Sequence, residues 1–209
     1  MKYYQIPLGP LGTNCFIVMN EKKECIIVDP GEEGAKLIQF IKKNGLKPLA
    51  VLLTHAHFDH IGAVDDVRDA FDIEAYIHEK EKKWLTDPIL NGSQYFMMGN
   101  ATKQRPAEHI ISEEGALKIG DFVFEVFETP GHSPGSISFY LRDAGYLFSG
   151  DVLFKRSIGR TDLAGGNMDV LMKSIEQKIL TLPHNTIVFP GHGEITLIED
   201  EVDYNPFLR

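Results

Sequence analysis

Apolar residues along this chain gather in short continuous runs ended by turn signals, with stretches of helical period between them. Residues 3–6, 15–18 and 25–28 read as short strands, the first two separated by the turn-rich L-G-P-L-G-T-N. Residues 33–43 place Leu37, Ile38 and Ile41 at helical spacing and stop at Asn44-Gly45, which predicts a helix. The run Leu49, Ala50, Val51, Leu52, Leu53 predicts a buried strand, and residues 61–70 suit a helix beyond it. A short strand at 75–77 and a charged helix at 79–85 follow. Residues 88–107 carry N-G, M-M-G-N and R-P with little periodicity, and are expected to be irregular and able to form a flap. Strands are predicted again at 122–127, 137–141 and 146–149, then a helix at 168–180 and a last strand at 186–189.

Strands and helices alternate in both halves, while the N-terminal strands look like hairpins. The mixture predicts an α/β (α+β) chain built as a four-layer αββα sandwich, with a doubly wound sheet as the other topology this pattern allows. No repeat, low-complexity tract or linker interrupts it, so one domain over 1–209 is expected. With 209 residues, 43% of them apolar, the chain can bury one substantial core. No apolar run approaches the roughly 20 residues that span a bilayer, and the start lacks a basic-then-apolar leader. A cytoplasmic protein without a membrane partner is the expectation. A net charge of −9 argues against a broad phosphate-binding surface, hence against nucleic acid as partner. Cys15 and Cys25 sit in C-F-I-V and C-I-I-V, and are expected to be reduced, buried and not ligands.

Candidate chemistry concentrates at residues 54–60, T-H-A-H-F-D-H, on the turn leaving the Leu49–Leu53 run. Imidazole nitrogen and carboxylate oxygen are the donors that Zn, Mn and Fe accept, and four such side chains seldom find separate structural partners by chance. Three later segments repeat the design of an apolar strand running into a turn with one donor: His132 in T-P-G-H-S-P-G, Asp151 after Gly150, and His192 in P-G-H-G. Each is weak alone. Together they suggest His55, His57 and His132 around one cation, Asp59, His60 and His192 around a second, and Asp151 bridging the two, with room left for a water.

The order and spacing of these residues closely resemble the metallo-β-lactamase superfamily, whose H-x-H-x-D-H signature is matched at every position from His55 to His60. D-P-G at 29–31 is also typical of it, in a structural role. The run G-D-V-L-F-K-R-S-I-G-R-T-D-L-A-G-G at 150–166 and the terminal N-P-F at 205–207 look like the glyoxalase II branch, particularly its short bacterial members. The resemblance implies a dinuclear metal-dependent hydrolase of a small thioester, hydroxyacyl-thiol ester to hydroxy acid plus thiol, by attack of hydroxide carried on the cations. Two divalent ions, Zn first and Fe or Mn as alternatives, are implied, with Asp59 and Asp151 as the catalytic carboxylates. Glyoxalase II proper holds glutathione with a C-terminal helical domain, which the residues after His192 are not expected to supply, so another thiol carrier is open. G-R-T-D also occurs in persulfide dioxygenases, relatives that use a single iron, and that is the alternative activity. A nuclease is disfavoured by the absence of a basic surface, and a lactamase by Asp151 standing where many lactamases use Cys.

Arg160 aligns by resemblance with a basic side chain that meets the thiol carrier, and an Arg fork suits a carboxylate there. Asp162 would orient it. The competing reading makes Arg160 and Asp162 an ion pair that stabilises their loop. Ser133 and Ser149 are expected to serve turns, and His78, His109 and His184 to be surface or structural. Trp84, Tyr95, Phe96, Met97 and Met98 lie near the irregular segment and could line a pocket, although core packing suits each singly. Asn205 to Arg209 could dock on the body or on a partner; the oligomeric state is open.

Overall fold

The computed structural model describes residues 1–97, 99 and 101–208, so Met98, Asn100 and Arg209 lie outside the described residues. The sequence reads as one domain; the chain divides into two compact units, Met1–Ile111 and Ser112–Arg209. Each carries a six-stranded sheet.

The first unit runs β1 (Lys2–Leu8), β2 (Thr13–Met19), β3 (Glu24–Val28), α1 (Gly34–Asn44), β4 (Lys47–Leu52), α2 (Phe58–Ile61), α3 (Val64–Phe71), β5 (Glu74–His78), α4 (Ser93–Phe96) and β6 (His109–Ile111). Strand order follows chain order from β1 to β6. The β1–β2 and β2–β3 pairs are antiparallel, as hairpin turns allow, and the three later pairs are parallel, as helical crossovers require. Cys15, Ile17, Cys25, Ile27 and Val51 pack with Leu37 and Ile41 of α1 and with Val64 and Val67 of α3. The alternate residues Phe16, Val18, Ile26, Val28, Ala50 and Leu52 are buried as well, which is why these strands read as unbroken apolar runs. Both cysteines are free and buried.

The second unit holds β7 (Gly115–Ile119), β8 (Phe122–Glu128), β9 (Ile137–Leu141), β10 (Tyr146–Gly150), the small ribbon β11 (Leu153–Phe154) with β12 (Ser157–Ile158), α5 (Met168–Ser174), β13 (Ile187–Pro190), β14 (Thr196–Leu197) and α6 (Ile198–Tyr204). Its sheet order is β14-β13-β10-β9-β8-β7, with only β10 and β13 parallel. Leu171, Ile175 and Ile179 of the α5 region pack with Leu147, Val188 and Ile198.

Three predicted elements differ. The helix expected at 61–70 is two, α2 and α3, parted at Gly62 and Ala63. There the Gly31 carbonyl takes the Ala63 N–H at 2.6 Å, and a Cβ on Gly62 would stand 2.8 Å from the Gly31 oxygen. The helix expected at 79–85 is a single 3-10 turn, Glu79–Glu81, because Glu81 is drawn into the interior to accept the Ala56 N–H at 2.6 Å. The helix expected at 168–180 changes after Ser174 into a π-helical stretch, Ile175–Ile179. Unpredicted elements include α4 inside the irregular segment, the short strands β6, β7, β11, β12 and β14, and the acidic α6. Among the described residues no helix is long and apolar enough to cross a membrane.

Candidate metal centre

In the first unit the donors sit where β4 ends. Asp29, in the left-handed region at φ 48°, follows β3 and faces the neighbouring strand end. Its carboxylate accepts the Thr54 N–H at 2.8 Å, the Thr54 hydroxyl at 2.6 Å and His60 Nδ1 at 3.0 Å. A carboxylate can only accept, so Thr54 gives its one hydroxyl proton to Asp29 and must accept from His55 Nδ1, 3.1 Å away. His55 and His60 are thereby both held as the Nδ1–H tautomer, with the lone pair on Nε2. The next turn is tied down by Glu81 on Ala56 N–H and by the Asn91 carbonyl on Phe58 N–H at 3.1 Å. Thr13, opening β2, donates its hydroxyl to Asp59 Oδ2 at 2.6 Å. His60 Nε2 stands 3.5 Å from Asp59 Oδ2, and the His55 ring lies 4.1 Å from that of His60 and 4.8 Å from that of His57.

In the second unit His132, Asp151 and His192 come together from three strand ends. Asp151 Oδ2 lies 3.7 Å from His132 Nε2 and 3.6 Å from His192 Nε2. His132 Nδ1 donates to the Arg160 carbonyl at 2.8 Å, so its lone pair too is on Nε2. The glycine of G-R-T-D makes this approach possible: a Cβ on Gly159 would stand 1.9 Å from the Asp151 carbonyl oxygen. Asn205, buried, donates to the Ser157 carbonyl at 3.0 Å and to Glu201 at 2.8 Å, so the N-P-F start docks on its own unit below the same loop.

These distances suit cations. Two donors bound at about 2.1 Å to one tetrahedral ion stand about 3.4 Å apart, and the Asp59–His60, Asp151–His132 and Asp151–His192 pairs are at 3.5, 3.7 and 3.6 Å. Exposure is graded in the way a catalytic site needs. His60 and His132 side chains are at most 2% exposed, while Asp59, Asp151 and His192 reach 10, 12 and 28%. The local field is negative: burial, then the Asp59 and Glu33 carboxylates, push the Glu32 carboxyl up from its ordinary value. A bound cation would relieve that repulsion.

Arg160 and Asp162 form a two-pronged pair, Nε to Oδ1 at 2.7 Å and the second nitrogen to Oδ2 at 2.9 Å, both exposed. That guanidinium drives the Asp162 carboxyl down to about 2. The geometry is that of the loop-stabilising alternative, and the backbone carbonyl of Arg160 has a task the sequence did not suggest, fixing His132. Thr13 and Glu81 were not legible as site residues either; a Thr in a turn and a Glu in a charged run carry no signal. Asp29 is structural as expected, but what it structures is the ligand set. Ser133 bonds Ser136 at 2.7 Å and Ser149 the Leu153 carbonyl at 3.2 Å, both within turns. His78 is buried, His109 stacks on Tyr76 at 4.1 Å, and His184 is exposed.

The metallo-beta-lactamase superfamily profile matches residues 8–192. A probable metallo-hydrolase of Bacillus subtilis, YqgX, is 52% identical across 100% of this chain and 98% of its own length. A Haemophilus influenzae protein named hydroxyacylglutathione hydrolase GloC is 36% identical across 98% of this chain and 96% of its own. Among solved structures, that of the B3 metallo-beta-lactamase BLEG-1 is 55% identical with a TM-score of 0.97 over 99% of both chains. The structure of TTHA1623 in a di-iron-bound form is 40% identical, with a TM-score of 0.84 over 98% of this chain and 100% of that one.

Proposed function

This chain belongs to the metallo-β-lactamase superfamily and is a metallo-hydrolase, and from that premise we propose that it hydrolyses a small thioester with two divalent cations. His55, His57 and His132 would hold one cation, Asp59, His60 and His192 the other, and Asp151 would serve both through its carboxylate. The observation that carries this reading is the combination of ligand-like spacing with partial exposure at Asp59, Asp151 and His192, which suits a catalytic rather than a closed structural site. The relative named hydroxyacylglutathione hydrolase supports the thioester.

The cations, when bound, supply a water acidified to near neutral pH and a Lewis acid for the carbonyl oxygen. The protein's own share is orientation. Asp29 and Thr54 keep His55 and His60 in the ligating tautomer, and the Arg160 carbonyl does so for His132. Thr13 fixes the Asp59 carboxylate. Asp59 and Asp151 are the catalytic carboxylates of this reading, because each would help to hold a cation beside the substrate. The departing thiol is acidic, with a pKa of about 8.5, so no side chain has to protonate it. Arg160, released from Asp162, would reach a carboxylate on the thiol carrier.

The test is metal analysis joined to a substrate panel in the Zn, Fe and Mn forms. A hydroxyacyl thioester turned over with two cations per chain, and lost on Asp59→Ala or His60→Ala, is the expected result. One iron per chain with oxygen uptake on a persulfide would replace it with the dioxygenase reading. A β-lactam belongs in the panel because a solved structure 55% identical to this chain is described as a B3 metallo-beta-lactamase; turnover of it above the thioesters would favour that second reading.

A further inference from the structure

Glu201 is a fully buried carboxylate that the proposed chemistry does not use, and it lies in α6, beyond the last candidate donor. Three donors converge on it. Oε2 accepts the Arg156 N–H and the Asn205 side-chain amide at 2.8 Å each, and Oε1 accepts the Thr196 hydroxyl at 2.6 Å. Taking a carboxylate out of water is costly unless it is hydrogen-bonded, so what this one holds is informative.

Its main charge is the β11–β12 ribbon. Arg156, in the ribbon's turn, adopts the left-handed region at φ 62°, which a residue other than glycine keeps only where its surroundings fix it. α6 supplies those surroundings. Glu201 takes the Arg156 N–H, the Asp200 carbonyl takes its guanidinium at 2.9 Å, and the Tyr204 ring lies 4.4 Å from the same guanidinium. Asn205 gives its second amide hydrogen to the Ser157 carbonyl in β12 at 3.0 Å.

The ribbon stands among the candidate donors of its unit. Asp151 precedes β11, and Gly159 and Arg160 follow β12. The Gly159 N–H closes on the Val152 carbonyl at 3.1 Å and returns the chain over Asp151; the next residue then offers the carbonyl that holds His132 Nδ1. The Phe154 ring lies 6.3 Å from that of His192, and Lys155 pairs with Glu194, two residues past His192. One ribbon therefore bears on His132, Asp151 and His192, and α6 grips its turn.

We infer that α6 is a latch on the metal centre and Glu201 its positioning residue. By fixing the ribbon, Glu201 sets where Asp151 stands and where the Arg160 carbonyl meets His132. This rests on the two-cation reading above.

Glu201→Ala leaves the Arg156 N–H, the Thr196 hydroxyl and one Asn205 N–H without their acceptor. In metal-free protein, solvent exchange of the His132 Nδ1 proton, followed by nitrogen-correlated NMR, should quicken about tenfold. Competition against a fluorescent chelator should show cation affinity about tenfold weaker. The protons on His55 and His60, held in the other unit by Thr54 and Asp29, should exchange at the wild-type rate. Glu201→Gln should restore both quantities to within about twofold: one amide oxygen keeps Arg156 and Asn205, and its NH2 meets a hydroxyl that can turn to accept. Arg156→Gly relieves the left-handed backbone and removes only the guanidinium's hold, so it should fold and give about a threefold change in each readout. It decides the matter if Glu201→Ala does not fold. Variants that unfold at lower temperature but keep wild-type His132 exchange and cation affinity would overturn the latch, leaving α6 a purely structural helix. Equal quickening at His55, His60 and His132 would overturn it too, as general loosening. If the wild-type protein binds no cation, the two-cation reading falls, and His132 exchange still decides the latch.

Discussion

Asp29→Asn is the sharpest perturbation of the ligand set, because it keeps shape and removes only the acceptor-only character of the side chain. Asparagine tolerates the left-handed backbone that Asp29 adopts at φ 48°, so the turn should persist. Its amide oxygen can go on accepting the Thr54 N–H, but its NH2 then faces two donors, the Thr54 hydroxyl and His60 Nδ1. Left unresolved, two buried donors lose their acceptor, at about 1–3 kcal/mol each. The conflict can relax only if His60 moves its proton to Nε2 and Thr54 turns its hydroxyl toward His55, which moves the His55 proton as well. Moved protons take up the Nε2 lone pairs, and unmoved ones leave His60 without the acceptor that orients its ring. A cation held by His60 should bind about 10–100-fold more weakly, the range found for lost orienting partners, and the metal-free protein should lose about 2–6 kcal/mol if no proton moves. Competition against a fluorescent chelator measures the first quantity, and urea unfolding of metal-free protein the second. Wild-type cation affinity in Asp29→Asn would refute the tautomer argument outright.

Other consequences follow from single contacts. Thr13→Val preserves shape and removes the hydroxyl on Asp59 Oδ2; chelator competition should show about a tenfold loss for one cation of the two, and equal loss of both would refute the assignment. The Asp162 carboxyl, held down by Arg160, should titrate near 2 by carbon NMR and return toward its ordinary value in Arg160→Gln. Because its folded pKa is depressed, its contribution to stability is present above about 4 and vanishes as pH falls toward 2. Burial pushes the Cys25 thiol up to about 12. It keeps its proton in the folded protein while the unfolded chain loses one above about 9, so stability should decline with pH across that interval. Unfolding of Cys25→Ala should show a shallower alkaline limb, and identical limbs would refute it.

Most strands that lead to the candidate donors were legible because they are apolar on both faces and end in a turn with a polar donor; β8, before His132, instead alternates, with Val123 exposed between the buried Phe122 and Phe124. The β4 run into T-H-A-H-F-D-H is the clearest case. What stayed hidden depends on contacts between residues remote in sequence. Glu81 lies 25 residues from Ala56, and nothing in E-K-E-K-K separates a buried carboxylate from a solvated helix face. Thr13 reaches Asp59 across 46 residues. The split of the 61–70 helix needed the approach of Gly31, which its own helical spacing does not reveal. Strands of two or three residues, such as β11, β12 and β14, have no period to detect, and exist because β-ribbon partners are supplied by the fold. Arg160 was read through its side chain, whereas its backbone does the orienting, a role open to almost any residue type.

Three candidate donors are oriented within their own units: Asp29 and Thr54 hold His55 and His60, and the Arg160 carbonyl holds His132. Metal-free protein should therefore keep the hydrogen of these rings on Nδ1, visible in long-range nitrogen correlation spectra. Such preparation lowers the ordering cost of binding, so added cation should act mainly as a ligand of the native state. At a hundredfold excess over its Kd, a cation would stabilise the fold by about 2.7 kcal/mol per site. Chemical unfolding with and without chelator measures that gain. If the metal-free histidines proved to be Nε2–H tautomers, or averaged rapidly between the two, orientation would come from the metal instead, and the part given to Asp29 and Arg160 would be wrong.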